Sequence, residues 1–371
     1  MKKSILALML LIAAIATISA QLPVNLYGRA AVGENGVVAA AKPEASQVGI
    51  DILKKGGNAV DAAIATGFAL GVLEANANGI GGGGFMIIKM VDMAEPVVID
   101  FREKAPGKAT PTMYLGPDGK VIPNSTIEGG LSVGVPGEVK GLLYALENYG
   151  SGKLSRADII QPAIQWALQG IPVTVNLESI IKDNYGKLVK YENGAQIYLK
   201  DGLPYEVGDV IYNPDLARTL AKIVKEGADA IYKGPIAQAM VDEVQKRGGI
   251  LTLEDLANYE IKVRKAVEGE YRGYKVYSVP PASSGGTHLI EILNILENFD
   301  VVKLGFQTAQ ASHLWSEILK LTFADRAKYM ADTDFVQVPL KGLTNKEYAK
   351  QQATRINMNA SMSSPQPGDP F

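Results

Sequence analysis

Gly79-Ile-Gly-Gly-Gly-Gly-Phe-Met-Ile-Ile-Lys89, followed by Asp100-Phe-Arg-Glu-Lys-Ala-Pro-Gly-Lys-Ala-Thr110, sets the fold. The first stretch is a glycine turn feeding a strand. The second is the exit of another strand, Pro96 to Phe101, that delivers Arg102 to its end. The turn around Asp92 is too short to hold a crossover helix, so the two strands read as antiparallel neighbours. Glycines allow close backbone approach, and an arginine anchored at a strand exit offers a planar donor fork suited to a carboxylate. The competing local use of Arg102 is a salt bridge to Asp100 or Glu103.

Working outward, Gly36 to Ala41 reads as a short strand and Glu44 to Lys55 as a helix stopped by Gly56-Gly57. Asn58 caps a second helix whose dense small residues call for close packing on several sides. Helices then strands give a layered α/β beginning. From about Gly137 to Gly249 apolar residues recur at helical spacing, with Ser155 as one cap. Tyr271 to Val279 returns as a strand, Pro280-Pro-Ala-Ser-Ser-Gly-Gly286 as a turn, and a helix begins near Thr287. In the helix Ala309 to Tyr329, residues Trp315, Leu319 and Phe323 form a stripe predicted to face the core. The tail, residues 357–371, has no periodicity and no reason to fold alone. No linker-like change of composition supports cutting the chain, and one folded unit is the economical reading.

The start, Met-Lys-Lys-Ser before an apolar run ending Ile18-Ser19-Ala20, reads as a signal peptide over residues 1–20. An exported chain without cysteine has neither disulfides nor thiolate chemistry, which points to a bacterial periplasmic or secreted protein. With 39 acidic and 37 basic residues no field draws it to nucleic acid, and two histidines are few for a histidine-built metal centre. Gly79-x-Gly81-x-x-Gly84 matches a dinucleotide fingerprint, yet it stands before a strand instead of a helix. Gly150-Ser-Gly-Lys153 lacks the hydroxyl that a phosphate loop needs, because Leu154 follows. Asp100 and Glu103 are too close in sequence to act across a glycosidic bond. His288 as a base on Ser283 or Ser284 would require the helix to fold back on its own turn, so capping hydroxyls and a packed or surface histidine are favoured. Asp325-Arg326 with Asp332 and Asp334 lacks calcium-loop spacing and reads as buried ion pairing.

Together the glycine run, Asp100-Phe-Arg-Glu-Lys-Ala-Pro106, Pro280-Pro-Ala-Ser-Ser-Gly-Gly286 and Phe323-Ala-Asp-Arg-Ala-Lys-Tyr329 resemble the large-subunit half of a gamma-glutamyltranspeptidase. Pro-Glu-Ala-Ser at 43 to 46 and Gly-Gly-Asn-Ala-Val-Asp-Ala-Ala at 56 to 63 extend the likeness, which runs from about Val37 to about Tyr348. The resemblance implies an exported precursor that cuts itself in two, assembled in an αββα N-terminal-nucleophile hydrolase fold, with residues 21–371 supplying the helix-rich large-subunit part. It places Arg102 on the arginine that binds the substrate α-carboxylate. Glu103, Gly81, Gly82, Gly83, Gly84, Ser283 and Ser284 fall on the supporting framework, with Ala282 in place of the family's third proline.

The same resemblance implies γ-glutamyl transfer and hydrolysis on glutathione and similar compounds without a cofactor, with water, an amino acid or a peptide as acceptor. The nucleophile would be a threonine heading the small subunit, attacking through its hydroxyl with its own amine as base. This sequence holds no such threonine before Phe371, so the chain is expected to be inactive alone. A glutaryl or other dicarboxylic acyl amidase would keep the fold and the arginine. A noncatalytic envelope protein keeping only the shell is the remaining alternative.

Overall fold

Asn58 ends the short loop after the helix Pro43–Lys54 by accepting the backbone N–H groups of Val60 and Asp61 on its side-chain oxygen, while the Asp61 carboxylate accepts the Asn58 N–H. This reciprocal cap starts α2 (Ala59–Leu73), which follows α1 (Pro43–Lys54). Small side chains let α2 be buried nearly all round. Gly49 of α1 sits where a methyl group would overlap the Thr66 hydroxyl. The computed structural model describes residues 31–371, so the signal-peptide reading lies outside the described residues. None of the helices searched there is long and apolar enough to cross a membrane.

The paired strands form as the sequence predicts. β1 (Phe85–Ile88) and β2 (Val97–Asp100) run antiparallel, with Phe85 opposite Asp100 and Ile88 opposite Val97. Helices follow, chiefly α3 (Glu138–Tyr149), α4 (Arg156–Gln169), α5 (Pro214–Glu226) and α6 (Gly234–Lys246). Ser155 caps α4 as expected, its hydroxyl accepting the Asp158 N–H while Asp158 accepts the Ser155 N–H. The third strand of the sheet comes from far along the chain. β3 (Lys262–Lys265) adds antiparallel to β2, setting Arg264 opposite Val98 and Lys262 opposite Asp100. The main core joins this sheet to the helices through Ile64, Phe68, Ile99, Phe101, Leu142 and Ile159.

Four expectations change. Residues 36–41 form no strand. The single strand at 271–279 is a hairpin, β4 (Val267–Tyr271) and β5 (Tyr274–Ser278). Arg272 and Gly273 turn it with φ of 50° and 83°, the geometry of a two-residue hairpin loop. After α7 (Gly285–Leu296) comes α8 (Ala309–Tyr329), whose stripe Trp315, Leu319 and Phe323 is solvent-exposed; the buried face carries Leu314, Ile318, Leu321 and Asp325. Finally, the tail 357–371 forms no helix or strand, yet it lies along α8 and α9 (Lys346–Ala353), tied by Glu317 to the Met362 N–H and by Tyr329 to the Gly368 carbonyl.

Phe101 is clamped by glycines. A methyl group at Gly141 of α3 would overlap the Phe101 ring, and one at Gly137 would overlap the Phe101 carbonyl and the Tyr259 hydroxyl. Alanine normally gains about 1 kcal/mol over glycine inside a helix. Overpacking a filled core costs about 1–3 kcal/mol, and here it wins because the obstacle is a buried ring next to strand backbone. Gly141→Ala should therefore lower the urea midpoint of the protein, whereas Gly186→Ala, which meets nothing nearby, should not.

Candidate functional site

Arg102 leaves the sheet where β2 ends. Its backbone is held twice: Oδ1 of Asp100 accepts the Arg102 N–H at 3.1 Å, and the Tyr259 hydroxyl donates to the Arg102 carbonyl at 3.0 Å. Its side chain is 62% exposed, and Nε lies 3.6 Å from Oε2 of Glu103, a loose and solvated pairing. The competing local use of Arg102 is thus half realised. Glu103 touches it, whereas the Asp100 carboxylate is engaged by Arg264 at 2.7 Å. Arg102 lines a cavity of about 560 Å³ together with Gly81, Glu103, Pro106, Tyr114 and Ser132.

The glycine run reaches this exit by close approach. A side chain at Gly83 would meet the Phe101 carbonyl oxygen at 2.5 Å and the Glu103 nitrogen at 2.8 Å, so only glycine lets the two segments touch. The Gly82 carbonyl accepts the N–H groups of Gly137 and Glu138, which fastens the start of α3 to the same place. Gly84 lies against the Phe101 ring, and Gly81 faces open space beside the cavity. A strand follows the run, so the helix needed by a dinucleotide fingerprint is absent there.

Ser283 and Ser284 serve different partners. The Ser283 hydroxyl accepts the Gly285 N–H at 3.2 Å, closing the turn before α7. The Ser284 hydroxyl caps nothing and accepts from Nε of Arg326 at 2.9 Å, which corrects the capping expectation for that residue. Among the described residues neither bonds to Arg102 or Glu103. His288 pairs through Nδ1 with the Ser284 carbonyl and with neither serine hydroxyl, as a packed histidine should. Burial is the main reason its pKa is lowered.

Several groups escape the sequence reading. Glu138, buried behind Gly84, has its pKa pushed up to about 7 by burial and by the neighbouring Glu103 charge. Tyr259 is buried and supports Arg102 from 157 residues away. Arg264 joins Asp100 to Asp334, so the ion pairing expected near Asp332 and Asp334 exists, but with an arginine on another strand. Asp325 makes no ion pair with Arg326; it accepts from Tyr348 at 2.5 Å, Gln352 at 2.8 Å and the Gly368 N–H at 2.7 Å. All these pairings are long-range, and only the acidic residues themselves were visible in the local sequence. A second cleft of about 440 Å³, lined by Val72, Ile171, Leu177, Ile181, Leu188 and Tyr198, offers no charge to recognise an ionic head.

Comparison with known proteins agrees with this framework. The family model for gamma-glutamyltranspeptidase matches residues 45–370. The glutathione hydrolase proenzyme of Escherichia coli (strain K12) is 45% identical over 88% of this chain and 56% of its own length. The Acylase ACY 1 proenzyme of Pseudomonas sp. (strain SE83) is 41% identical over 89% of this chain and 60% of its own length. The chain therefore spans less than two thirds of these relatives. The crystal structure of Helicobacter pylori gamma-glutamyltranspeptidase superposes with a TM-score of 0.88 at 41% identity, covering 91% of this chain and 97% of that one. On a match through nearly the whole described length, with the fold to go with it, the chain belongs to the gamma-glutamyltranspeptidase family and has its N-terminal-nucleophile hydrolase fold.

Proposed function

We propose that this chain is the substrate-gripping part of an exported enzyme that transfers γ-glutamyl groups from glutathione and similar donors to water, amino acids or peptides. The observation that carries the reading is Arg102. In a chain of this family, an arginine at a strand exit lines a cavity with only a solvated contact to Glu103, while the buried carboxylate two residues before it is taken by another arginine. A permanently charged fork so placed suits the α-carboxylate of a γ-glutamyl donor. Gripping the end that does not react aligns the scissile carbonyl.

The nucleophile in this reading is a threonine at the head of a second polypeptide from the same precursor. Its hydroxyl attacks the γ-carbonyl while its amine takes the proton; the tetrahedral adduct then breaks its C–N bond, the leaving amine takes that proton, and the γ-glutamyl ester left behind is cleaved by water or an acceptor amine. Two features support a missing partner. The sheet is open at both edges, with Ile87 of β1 and Val263 of β3 exposed. The apolar stripe of Trp315 and Phe323 on α8 is 44% and 56% exposed. Alone, the chain should turn over no donor and should bind hydrophobic dyes, a state that coexpression with the threonine-headed segment should reverse.

A second reading, hydrolysis of glutaryl or related dicarboxylic amides, is favoured by the likeness to Acylase ACY 1. Arg102 would serve either acyl group. Hydrolysis of paired γ-glutamyl and glutaryl anilides by the assembled protein separates them. At least tenfold preference for the γ-glutamyl compound is the result the main reading requires, and the reverse preference would replace it with the acylase.

A further inference from the structure

Asp100 closes β2, and its carboxylate is committed on both sides. Oδ1 accepts the Arg102 N–H at 3.1 Å and Oδ2 accepts from Nε of Arg264 at 2.7 Å. Arg264 stands opposite Val98 in the register, so it lies one diagonal step from Asp100 on the same face of the sheet. Its other two nitrogens fork onto Asp334 at 2.9 and 3.0 Å. Asp334 follows α8 and is fixed in turn by its own N–H bonded to Asp332. A guanidinium can pair with both carboxylates in this way because its donors sit on three nitrogens and point in two directions in one plane; an ammonium has its three donors on one nitrogen and cannot form the fork.

We propose that Arg264 is a positioning residue for Arg102, acting through Asp100. Two effects follow from one ion pair. The Asp100 carboxylate, held by Arg264, fixes the backbone from which the Arg102 side chain springs. It is also kept from recruiting that side chain. Without Arg264, Asp100 would be a buried carboxylate with a single amide donor, and such a charge is strongly destabilising unless it finds a counter-ion. Lys262 stands opposite Asp100 in the register but offers only an exposed ammonium; the guanidinium at hand is that of Arg102, two residues along the chain, whose present hold on Glu103 is loose. The guanidinium would turn inward and leave the cavity. Asp334 makes the arrangement depend on the segment after α8, so the C-terminal helices share in setting the clamp.

The proposal rests on reading Arg102 as the clamp for the donor α-carboxylate. Its test uses the chain assembled with its threonine-headed segment and two donors, γ-glutamyl-p-nitroanilide and 4-aminobutyryl-p-nitroanilide, which differ only in the α-carboxylate. Arg264→Gln should raise KM for the first donor about tenfold, with kcat held within about twofold, and leave the second donor unchanged. Adding Asp100→Asn to Arg264→Gln should return KM to within about threefold of the parent, since no buried charge remains to draw Arg102 inward. Asp334→Asn, which takes away one of the two oxygens that anchor Arg264 and so loosens its hold on Asp100, should raise the same KM about threefold and carries the test if Arg264→Gln fails to assemble. No change, or an equal change for both donors, would overturn the proposal, the latter because a merely structural loss ignores the carboxylate. Arg102→Ala separates the two levels: if it too affects both donors equally, the clamp reading fails and the proposal with it, whereas a selective Arg102→Ala beside an unselective Arg264→Gln defeats only the role of Arg264.

Discussion

Replacing Arg102 with alanine should lower kcat/KM of the assembled protein for γ-glutamyl donors about a hundredfold, chiefly through KM. Losing a charge-assisted bidentate contact costs about 2–3 kcal/mol, which corresponds to a factor of roughly 30 to 200. An effect of this size requires a partner that covers the site, because in the chain alone the Arg102 side chain is 62% exposed and water would replace much of what is lost. Arg102→Lys restores the charge without the fork and should recover about a tenth to a third of the activity. Steady-state kinetics on γ-glutamyl-p-nitroanilide measure both. An Arg102→Ala protein within about threefold of the parent would remove the residue from donor recognition.

The second large effect is on stability and lies between α7, α8 and α9. Glu291 and Asp325 are both fully buried, and neither forms an ion pair among the described residues. Asp325 has three donors, while both oxygens of Glu291 lack a hydrogen-bond donor. Two carboxylates cannot both stay charged there, and the one without donors keeps the proton. Burial and the adjacent Asp325 push the Glu291 pKa up to about 10. An acid whose pKa is raised on folding stabilises the protein fully below its unfolded value near 4.5 and loses that contribution as pH rises through the folded value.

Glu291→Gln, a neutral mimic, should therefore be more stable than the parent at pH 7, with a gap that widens between pH 5 and about pH 10. Asp325→Leu should cost about 3 kcal/mol or more, since it strands Tyr348, Gln352 and the Gly368 N–H without their acceptor. Urea denaturation at pH 5, 7 and 9 measures these effects. A parent and Glu291→Gln protein that keep a constant gap over that range would show that Glu291 is not the protonated member.

The legible parts of this molecule were local. A glycine run before Phe-Met-Ile-Ile, a cap at Asn58, a second at Ser155 and an arginine after a strand are written in neighbouring residues, and the structure places each of the first three elements where the sequence does. What escaped was set by pairing at a distance. The stripe Trp315, Leu319 and Phe323 has helical spacing, but spacing gives a face without saying what covers it; the core took the Leu314 and Ile318 face instead. The turn at Arg272-Gly273 was missed because only glycine at the second position hints at positive φ, and the first half of the hairpin, Val267-Glu-Gly-Glu-Tyr271, is interrupted by glycine. The tail found its order in Asp325, Glu317 and Tyr329, none of them near it in sequence. Arg264 could be found only from the register that sets β3 against β2.

The central claim is that this chain grips the donor while a separate threonine-headed polypeptide reacts with it. It is tested most directly by the intact masses and N-terminal sequences of the protein purified from its native source, assayed at once on γ-glutamyl-p-nitroanilide. The account predicts two polypeptides, the second beginning with threonine, and turnover that is lost when they are separated. A solitary polypeptide that hydrolyses nothing, or one that hydrolyses the donor without a threonine-headed companion, would contradict it.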